Sequence, residues 1–288
     1  MPAPVRPRRS ILYMPGSNPR ALEKGRTLPA DGLILDLEDA VAPDAKEQGR
    51  VEIRKALAEK AAYGGRELIV RVNGLDTPWG HGDLAALATA GADAILLPKV
   101  DSADMVRRAA YVLDAAGGPE DLPIWCMMET PRGVLHAEEI ADHPRVQCFV
   151  MGTSDLTKDL QALHTPLRLP MLPSLGICLL AARAARISIV DGVYLDLADE
   201  EGFQASCRQG RELGFDGKTL IHPGQVAGAN EAFAPSERAV EDARGILDAW
   251  ENRSSGVVTY RGRMIENLHV ESATRTLRIH DAIAALED

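Results

Sequence analysis

The chain has 288 residues, 45% hydrophobic and 26% charged, which is the composition of a globular protein with ample material for a large core. Its net charge of −10 argues against nucleic acid as the main partner, because phosphate contacts require a basic surface. The absence of a secretory signal and of a membrane-length apolar run, together with four scattered cysteines, predicts a cytoplasmic protein with reduced thiols and no membrane partner.

Short apolar runs alternate with helix-like stretches along most of the chain. Eight runs are predicted as strands: Ser10–Met14, Leu33–Leu37, Leu68–Asn73, Ala94–Pro98, Ile124–Glu129, Cys148–Met151, Ile187–Tyr194 and Lys218–Ile221. The stretches between them predict helices, such as Asp44–Tyr63, Ser102–Ala116, Leu175–Ala185 and Asp199–Leu213. Eight such units in this length predict a (β/α)8 TIM barrel. An open doubly wound sheet is the alternative, disfavoured because no glycine-rich nucleotide motif follows a strand.

The pattern changes after the eighth predicted strand. Pro235–Asn252 predicts a polar helix, Arg253–Gly256 a hinge and Val257–Tyr260 a short strand, and a helix from about His269 to Leu286 follows. This tail is too short to bury a core of its own. We therefore expect a barrel over residues 1–252 and a C-terminal helical extension over residues 253–288 that packs on the barrel or on a neighbouring subunit of a homo-oligomer.

Polar side chains collect where the predicted strands end, which in such a barrel is the active-site end. They are Glu38, Asp39, Arg71, Asn73, Lys99, Glu129, Asp155, Asp191, Asp196 and His222. Carboxylates from several strands, with few His or Cys, predict a hard cation such as Mg2+, or Mn2+ in its place, held by Glu129 and Asp155. The alternative is that these acids only form ion pairs with Arg71 and Lys99.

Two further features of these strand ends predict anion binding. An Arg at a barrel mouth, here Arg71, is typical of a clamp for an oxyanion or a carboxylate. The segment Gly152–Asp155 exposes backbone N–H groups beside the predicted metal site, and such groups can bind a small carboxylate.

We expect Lys99 to form a salt bridge rather than a Schiff base, since neighbouring acids favour its protonated form.

Several segments in a fixed order resemble the citrate lyase β-subunit-like, or HpcH/HpaI aldolase-related, CoA ester lyases, from about residue 9 to residue 284. The matching segments are Arg9–Pro19, Asp36–Lys46, Val70–Trp79, Leu96–Val100, Met128–Val134, Gly152–Leu156, Gly217–Val226 and Ala229–Ser236. The resemblance implies a Mg2+-binding barrel, a CoA thioester substrate, and a homo-trimer or homo-hexamer whose C-terminal tail reaches a neighbouring active site.

The same resemblance implies a role for each acid and for the arginine at the strand ends. Glu129 and Asp155 would hold the metal, while Glu38 and Asp39 would hold metal-bound water and Arg71. Arg71 would bind the thioester oxygen as it becomes an enolate.

The resemblance also implies which residues contact the substrate. Gly152 and Thr153 would offer backbone donors to the carboxylate of the small acid. The residues that would line the CoA side are Tyr13, Lys24, Ile221 and Pro223.

One residue of the tail departs from the family pattern. Family lyases usually carry an Asp that acts as the base, reaching into the next subunit, where this chain has Glu266. Glu keeps the carboxylate but adds one methylene, and proton transfer depends on tight positioning. Glu266 would therefore either reprotonate carbon or hold water against the thioester.

The resemblance thus implies a Mg2+-dependent carbon–carbon lyase that cleaves malyl-CoA-type 3-hydroxyacyl-CoA thioesters to acetyl-CoA or propionyl-CoA and a 2-oxo acid such as glyoxylate. The alternative is hydrolysis of (3S)-malyl-CoA to malate and CoA at the same site. A second alternative is a citrate lyase β-type subunit that acts on an acyl-carrier protein, disfavoured because the net charge of −10 would repel an acidic carrier. The acyl chain stays open, because one methyl group changes pocket energy by only about 1–3 kcal/mol.

Overall fold

A closed barrel of eight parallel strands, in chain order and with the first strand paired to the eighth, forms the main part of the protein. The computed structural model describes residues 6–252 and 257–287. The strands are β1 (Ser10–Pro15), β2 (Gly32–Asp36), β3 (Glu67–Arg71), β4 (Ala94–Leu97), β5 (Ile124–Met128), β6 (Val146–Met151), β7 (Ser188–Asp191) and β8 (Gly217–Leu220). The predicted barrel and all eight of its predicted strands are confirmed, with boundaries that differ by a few residues.

Helices connect the strands of the barrel. They are α1 (Pro19–Gly25), α2 (Lys46–Ala58), α3 (Gly80–Leu87), α4 (Ala103–Ala115), α5 (Pro131–Leu135), α6 (Ala137–Ala141), α7 (Thr153–Asp159), α8 (Leu172–Ala184), α9 (Glu200–Leu213) and α10 (Val226–Phe233). The segment predicted as one helix over Asp44–Tyr63 is divided, because Glu59 leaves the helical region at the end of α2 and a 3-10 helix follows over Lys60–Tyr63. None of the helices in the described ranges is long and apolar enough to cross a membrane.

The two-residue period of the strands carries polar side chains from the barrel core to its mouth. The core consists of Ile11, Ile34, Ile69, Ala94, Leu96, Trp125, Met127, Cys148, Val150 and Val190. Residues two apart on a strand face the same side. The residues that stand two positions beyond Ile11, Ile34, Ile69 and Met127 are Tyr13, Asp36, Arg71 and Glu129. All four therefore point the same way as the core, at the C-terminal ends of their strands.

The chain divides into two compact units, Arg8–Ala232 and Phe233–Asp288 with Met1–Pro7. In the second unit, α11 (Glu237–Glu251) packs against α12 (Asn267–Glu287). The predicted hinge at Arg253–Gly256 lies outside the described residues, and a barrel over 1–252 with an extension over 253–288 stays a prediction.

A small hairpin stands between these two helices. Its antiparallel strands are β9 (Val258–Tyr260), which confirms the predicted strand, and β10 (Arg263–Ile265). Arg261 and Gly262 join the two strands with φ angles of 46° and 77°. A two-residue turn of type I′ requires positive φ at both central positions, so the turn chemistry fits the hairpin.

Candidate active site

A cavity of about 320 Å³ opens at the C-terminal ends of the barrel strands. It is lined by Tyr13, Asp36, Asp39, Ala40, Arg71, Met127, Glu129, Met151, Gly152, Thr153, Ser154, Asp155, Val193, Thr219 and Ile221. The lining combines methionine and aliphatic side chains with several carboxylates and one guanidinium, as in sites where a few polar groups orient a ligand.

Arg71 is held rigidly at the floor of this cavity by Asp36 on the neighbouring strand. The register of β2 and β3 pairs the two residues directly, and Arg71 Nε and Nη2 donate to the two Asp36 oxygens at 2.7 Å each. The Arg71 guanidinium also lies 4.8 Å from the centre of the Tyr13 ring. Burial alone would lower the pKa of Arg71, but Tyr13, Asp36 and Glu38 raise it well above its ordinary value, so the group is a permanent cation.

The loop after β2 brings Glu38 and Asp39 to the same guanidinium. Arg71 Nη1 lies 2.8 Å from Glu38 Oε2 and 3.6 Å from Asp39 Oδ2. The other Glu38 oxygen lies 3.4 Å from Lys99 Nζ, which gives the salt bridge predicted for Lys99. Burial raises the pKa of Glu38, which the charges of Arg71 and Lys99 partly offset.

Two buried side chains fix the conformation of this loop. The Asp36 carboxylate accepts from the backbone N–H groups of Glu38 and Ala40, at 2.8 and 3.0 Å. Lys46, at the start of α2, donates from Nζ to the carbonyls of Leu37 and Glu38 at 2.7 Å each. Because charged groups hold the backbone on both sides of Glu38, its side chain projects from a well-determined position.

Glu129 presents a buried carboxylate beside a glycine. It is 2% exposed, and its Oε1 accepts from the backbone N–H of Lys99 at 2.7 Å. A Cβ on Gly152 would lie less than 3.0 Å from Glu129 Oε2, so only glycine leaves room next to that oxygen. Burial, reinforced by the charge of Glu38, raises the pKa of Glu129 to about 7.

The donor set formed by Glu129 and Asp155 fits a hard divalent cation. Burial and the charge of Glu38 outweigh Arg71 and the Lys99 N–H and raise the pKa of Glu129, so a cation beside Glu129 would stabilise its ionised form. Asp155 lies in the first turn of α7 and lines the same cavity. Within the described ranges, no three His, Cys, Asp or Glu side chains cluster as a metal site. Mg2+ needs only one or two carboxylates and keeps its other positions for water and substrate, so a pair is sufficient.

Only some of the other residues predicted to contact substrate line the cavity. Ile221 lines the cavity, but Lys24 and Pro223 are not among the described residues of its lining. Thr153 lines it too, whereas the N–H of Gly152 donates to the carbonyl of Met128 at 3.2 Å. The end of β5 therefore already accepts from the Gly152 N–H, and a donor role of Gly152 toward substrate stays a prediction; what the structure shows for Gly152 is the space that it leaves beside Glu129.

Glu266 belongs to the C-terminal unit rather than to the barrel unit. It is exposed and directly precedes α12, with its backbone N–H donating to His269 Nδ1 at 3.0 Å. Its action on a neighbouring subunit stays a prediction.

Two acids at strand ends have functions that the sequence analysis did not assign. Asp36 is the main partner of Arg71, and the signal that could have identified it is its place two residues beyond Ile34 on one strand face. Asp191 was grouped with the site acids, but it is fully buried and pairs with Lys218 at 3.0 Å and Arg168 at 2.7 Å. It follows the core residue Val190 by one position, so it points away from the barrel interior and is structural.

Comparison with known proteins gives a consistent set of similarities. The model of the HpcH/HpaI aldolase/citrate lyase family matches residues 9–223. The chain is 53% identical to a (3S)-malyl-CoA thioesterase of Cereibacter sphaeroides, over 97% of this chain and 96% of the relative. It is 36% identical to an L-malyl-CoA/beta-methylmalyl-CoA lyase of that species, over 98% and 97%.

A solved structure is similar over nearly the same length. It is the protein CitE from Mycobacterium tuberculosis in complex with magnesium, acetoacetate and coenzyme A. The two share 29% sequence identity with a TM-score of 0.74, over 94% of this chain and 97% of the other.

Proposed function

The chain belongs to the HpcH/HpaI aldolase/citrate lyase family and is an enzyme of that family, and we propose that it hydrolyses the thioester of (3S)-malyl-CoA to malate and CoA with the help of Mg2+. The observation that carries the proposal is the 53% identity to a (3S)-malyl-CoA thioesterase along almost the whole of both chains. This similarity reverses the order of the two candidates from the sequence analysis, in which the carbon–carbon lyase came first.

Glu129 and Asp155 are the residues that would hold Mg2+ in this proposal. Bound there, the ion would supply a Lewis acid and a template for the hydroxyl and carboxylate of the malyl group. Two carboxylates leave coordination positions for both of these substrate groups. The similar CitE protein was solved in complex with magnesium, which supports a bound Mg2+ in this chain.

Arg71 would stabilise the negative charge that develops on the thioester oxygen. Its hydrogen bonds to Asp36 use two of the five N–H groups of a guanidinium, and Nη1 forms an ion pair with Glu38. The remaining N–H groups would be available to a substrate oxygen, and a donor held in place before the reaction needs no reorganisation during it. The pair with Asp36 thus fixes the direction of the guanidinium as well as its charge.

Glu266 of a neighbouring subunit would act as the general base. A water molecule adds its oxygen to the thioester carbon and gives a proton to Glu266, and the C–S bond then breaks. The CoA sulfur takes a proton as it leaves, so the products are malate and the free thiol. The extra methylene of Glu relative to Asp changes the position of the carboxylate, which would hold a water against the thioester rather than reprotonate carbon.

The second candidate, cleavage of the malyl group to acetyl-CoA and glyoxylate, is favoured by the 36% identity to a malyl-CoA lyase. Cleavage also puts negative charge on the thioester oxygen, there as an enolate, and Arg71 would serve it equally well. The two reactions differ in their products, which makes them easy to separate by assay.

The test is to incubate the purified protein with Mg2+ and (3S)-malyl-CoA and to follow free thiol and glyoxylate together. We expect stoichiometric thiol and malate, without glyoxylate, and loss of the reaction on chelation with EDTA. Glyoxylate without thiol would refute hydrolysis and identify a lyase. Turnover that persists in EDTA would refute the role of the metal.

A complementation experiment tests the shared site. The variants Arg71→Lys and Glu266→Gln are each expected to be inactive, because one lacks the clamp and the other the base. Coexpressed as a mixed homo-oligomer, they would form some sites with an intact Arg71 and an intact Glu266 from different subunits. Recovered activity supports a site shared between subunits, and absence of recovery in verified mixed oligomers refutes it.

A further inference from the structure

Lys99 adopts a backbone conformation that its side chain disfavours. It follows β4 with φ of 48°, in the left-handed region where residues other than glycine, asparagine and aspartate are uncommon. Pro98 before it and Val100 after it are buried, while the Lys99 side chain is exposed. Conformations of this kind persist only where the surroundings over-determine them, and they concentrate at functional sites.

The left-handed turn at Lys99 satisfies three contacts at once. Its N–H donates to Glu129 Oε1 at 2.7 Å, and its ammonium lies 3.4 Å from Glu38 Oε1. Val100, the next residue, is fully buried, and its carbonyl lies so close to Gly133 that a Cβ there would be less than 3.0 Å away. The chain on the far side of Lys99 therefore has little freedom to move if the conformation of Lys99 changes.

We propose that Lys99 is a positioning residue for Glu129, and that the site requires its left-handed backbone rather than its ammonium group. The N–H of Lys99 engages one carboxylate oxygen and leaves Oε2, beside Gly152, for a cation. This inference rests on the proposed function, in which Glu129 holds Mg2+.

The two parts of Lys99 act on a bound cation in opposite directions. The backbone hydrogen bond orients a ligand, as partners of metal ligands commonly do. The ammonium carries a positive charge close to the site, and like charges repel. Loss of the ammonium alone should leave cation affinity equal or higher, whereas loss of the backbone geometry should lower it.

Two uncharged substitutions of similar size separate these effects. Lys99→Asn tolerates the left-handed region, but Lys99→Val, which is β-branched, does not. Mn2+ serves as the probe, because its electron paramagnetic resonance signal distinguishes free from bound ion. We expect Lys99→Asn to bind Mn2+ as tightly as the wild type or more tightly, and Lys99→Val to bind about 10- to 100-fold more weakly.

A second pair, Lys99→Gly and Lys99→Ala, repeats the comparison with smaller side chains and decides the question if Lys99→Val fails to fold. Equal affinity within each pair would overturn the inference while leaving the proposed function intact. Weak binding by Lys99→Asn would also overturn it, because the ammonium would then be the active part. Failure of the wild type to bind Mn2+ would overturn the metal-dependent function and this inference together.

Discussion

Replacing Gly152 with alanine should disable the candidate metal site through one methyl group. The backbone of Gly152 has φ of −94° and ψ of 71°, so the substitution carries no left-handed penalty and its effect is steric. The new Cβ would stand less than 3.0 Å from both Glu129 Oε2 and Glu129 Cβ, whereas ordinary contact begins at 3.4 Å. The Glu129 side chain must therefore retreat, although it is only 2% exposed and its Oε1 is held by the N–H of Lys99.

The size of the effect follows from that displacement. Relief of the overlap requires a shift of about 1 Å, and a shift of that size in a reacting or ligating group lowers activity by about 100-fold. The added methyl group should also lower the free energy of unfolding by about 1–3 kcal/mol, as overpacking of a filled site commonly does. Most of the protein should remain folded, since this is a fraction of the stability of a typical domain.

Gly176 offers a matched control in α8. A Cβ there would meet no atom within 4 Å, so Gly176→Ala should leave activity unchanged and raise stability by about 0.5–1 kcal/mol through helix propensity. The assays are the rate of thiol release from malyl-CoA, Mn2+ binding, and unfolding in urea. If Gly152→Ala matches Gly176→Ala in turnover and in Mn2+ affinity, the argument for Glu129 and its glycine is wrong.

Three further variants test other parts of the structure. Arg71→Lys should lower kcat by about 100-fold or more in a folded protein, because an ammonium cannot replace the bidentate pairing with Asp36. As a control, Arg183→Lys, in the ion pair with Asp216, should not change kcat. Asp191→Asn should lower the free energy of unfolding by about 3–5 kcal/mol at pH 7, since it leaves a buried cation uncompensated. Burial alone would raise the pKa of Asp191, but Lys218 and Arg168 outweigh it and lower the pKa. The stability that the Asp191 carboxylate contributes is therefore complete above the unfolded pKa of about 3.9. Urea unfolding should show the difference in unfolding free energy between Asp191→Asn and the wild type shrinking as pH falls below that value. Lys46→Met should lower kcat and should lower the free energy of unfolding by about 1–3 kcal/mol, because the carbonyls of Leu37 and Glu38 lose their donor. Unchanged kinetics would refute the role of Lys46 in holding the loop after β2.

The barrel could be predicted because its signals are local and repeated. Eight short apolar runs separated by helical stretches admit few arrangements, and the strand end is where such a barrel places polar groups. The two-residue period of side chains along a strand also separates Asp36 from Asp191. Asp36 lies two residues beyond a core position and faces the cavity, whereas Asp191 lies one residue beyond a core position and pairs with Lys218 and Arg168 outside the barrel interior.

The contacts made by the backbone could not be predicted in the same way. The hydrogen bond from the Lys99 N–H to Glu129 depends on one left-handed residue, for which a lysine gives no signal in the sequence. The engagement of the Gly152 N–H by Met128 depends on the register between β5 and β6. The residue type specifies the chemistry of a side chain, whereas the direction of a backbone N–H depends on several neighbouring torsion angles at once.

Hydrolysis and carbon–carbon cleavage make the same demand on the barrel mouth, since both put negative charge on the thioester oxygen. In hydrolysis that oxygen is the oxyanion of a tetrahedral intermediate, and in cleavage it is the enolate. A guanidinium fixed by Asp36, with N–H groups left over, would serve either case, so the proposed Arg71 clamp would not select between the products. The proton transfers do differ: hydrolysis takes a proton from water, and cleavage takes one from the hydroxyl and returns one to carbon. In the proposed mechanism, selection between the reactions would therefore fall to the base. The proposal predicts that Glu266 in place of Asp changes the reaction while the barrel stays as it is.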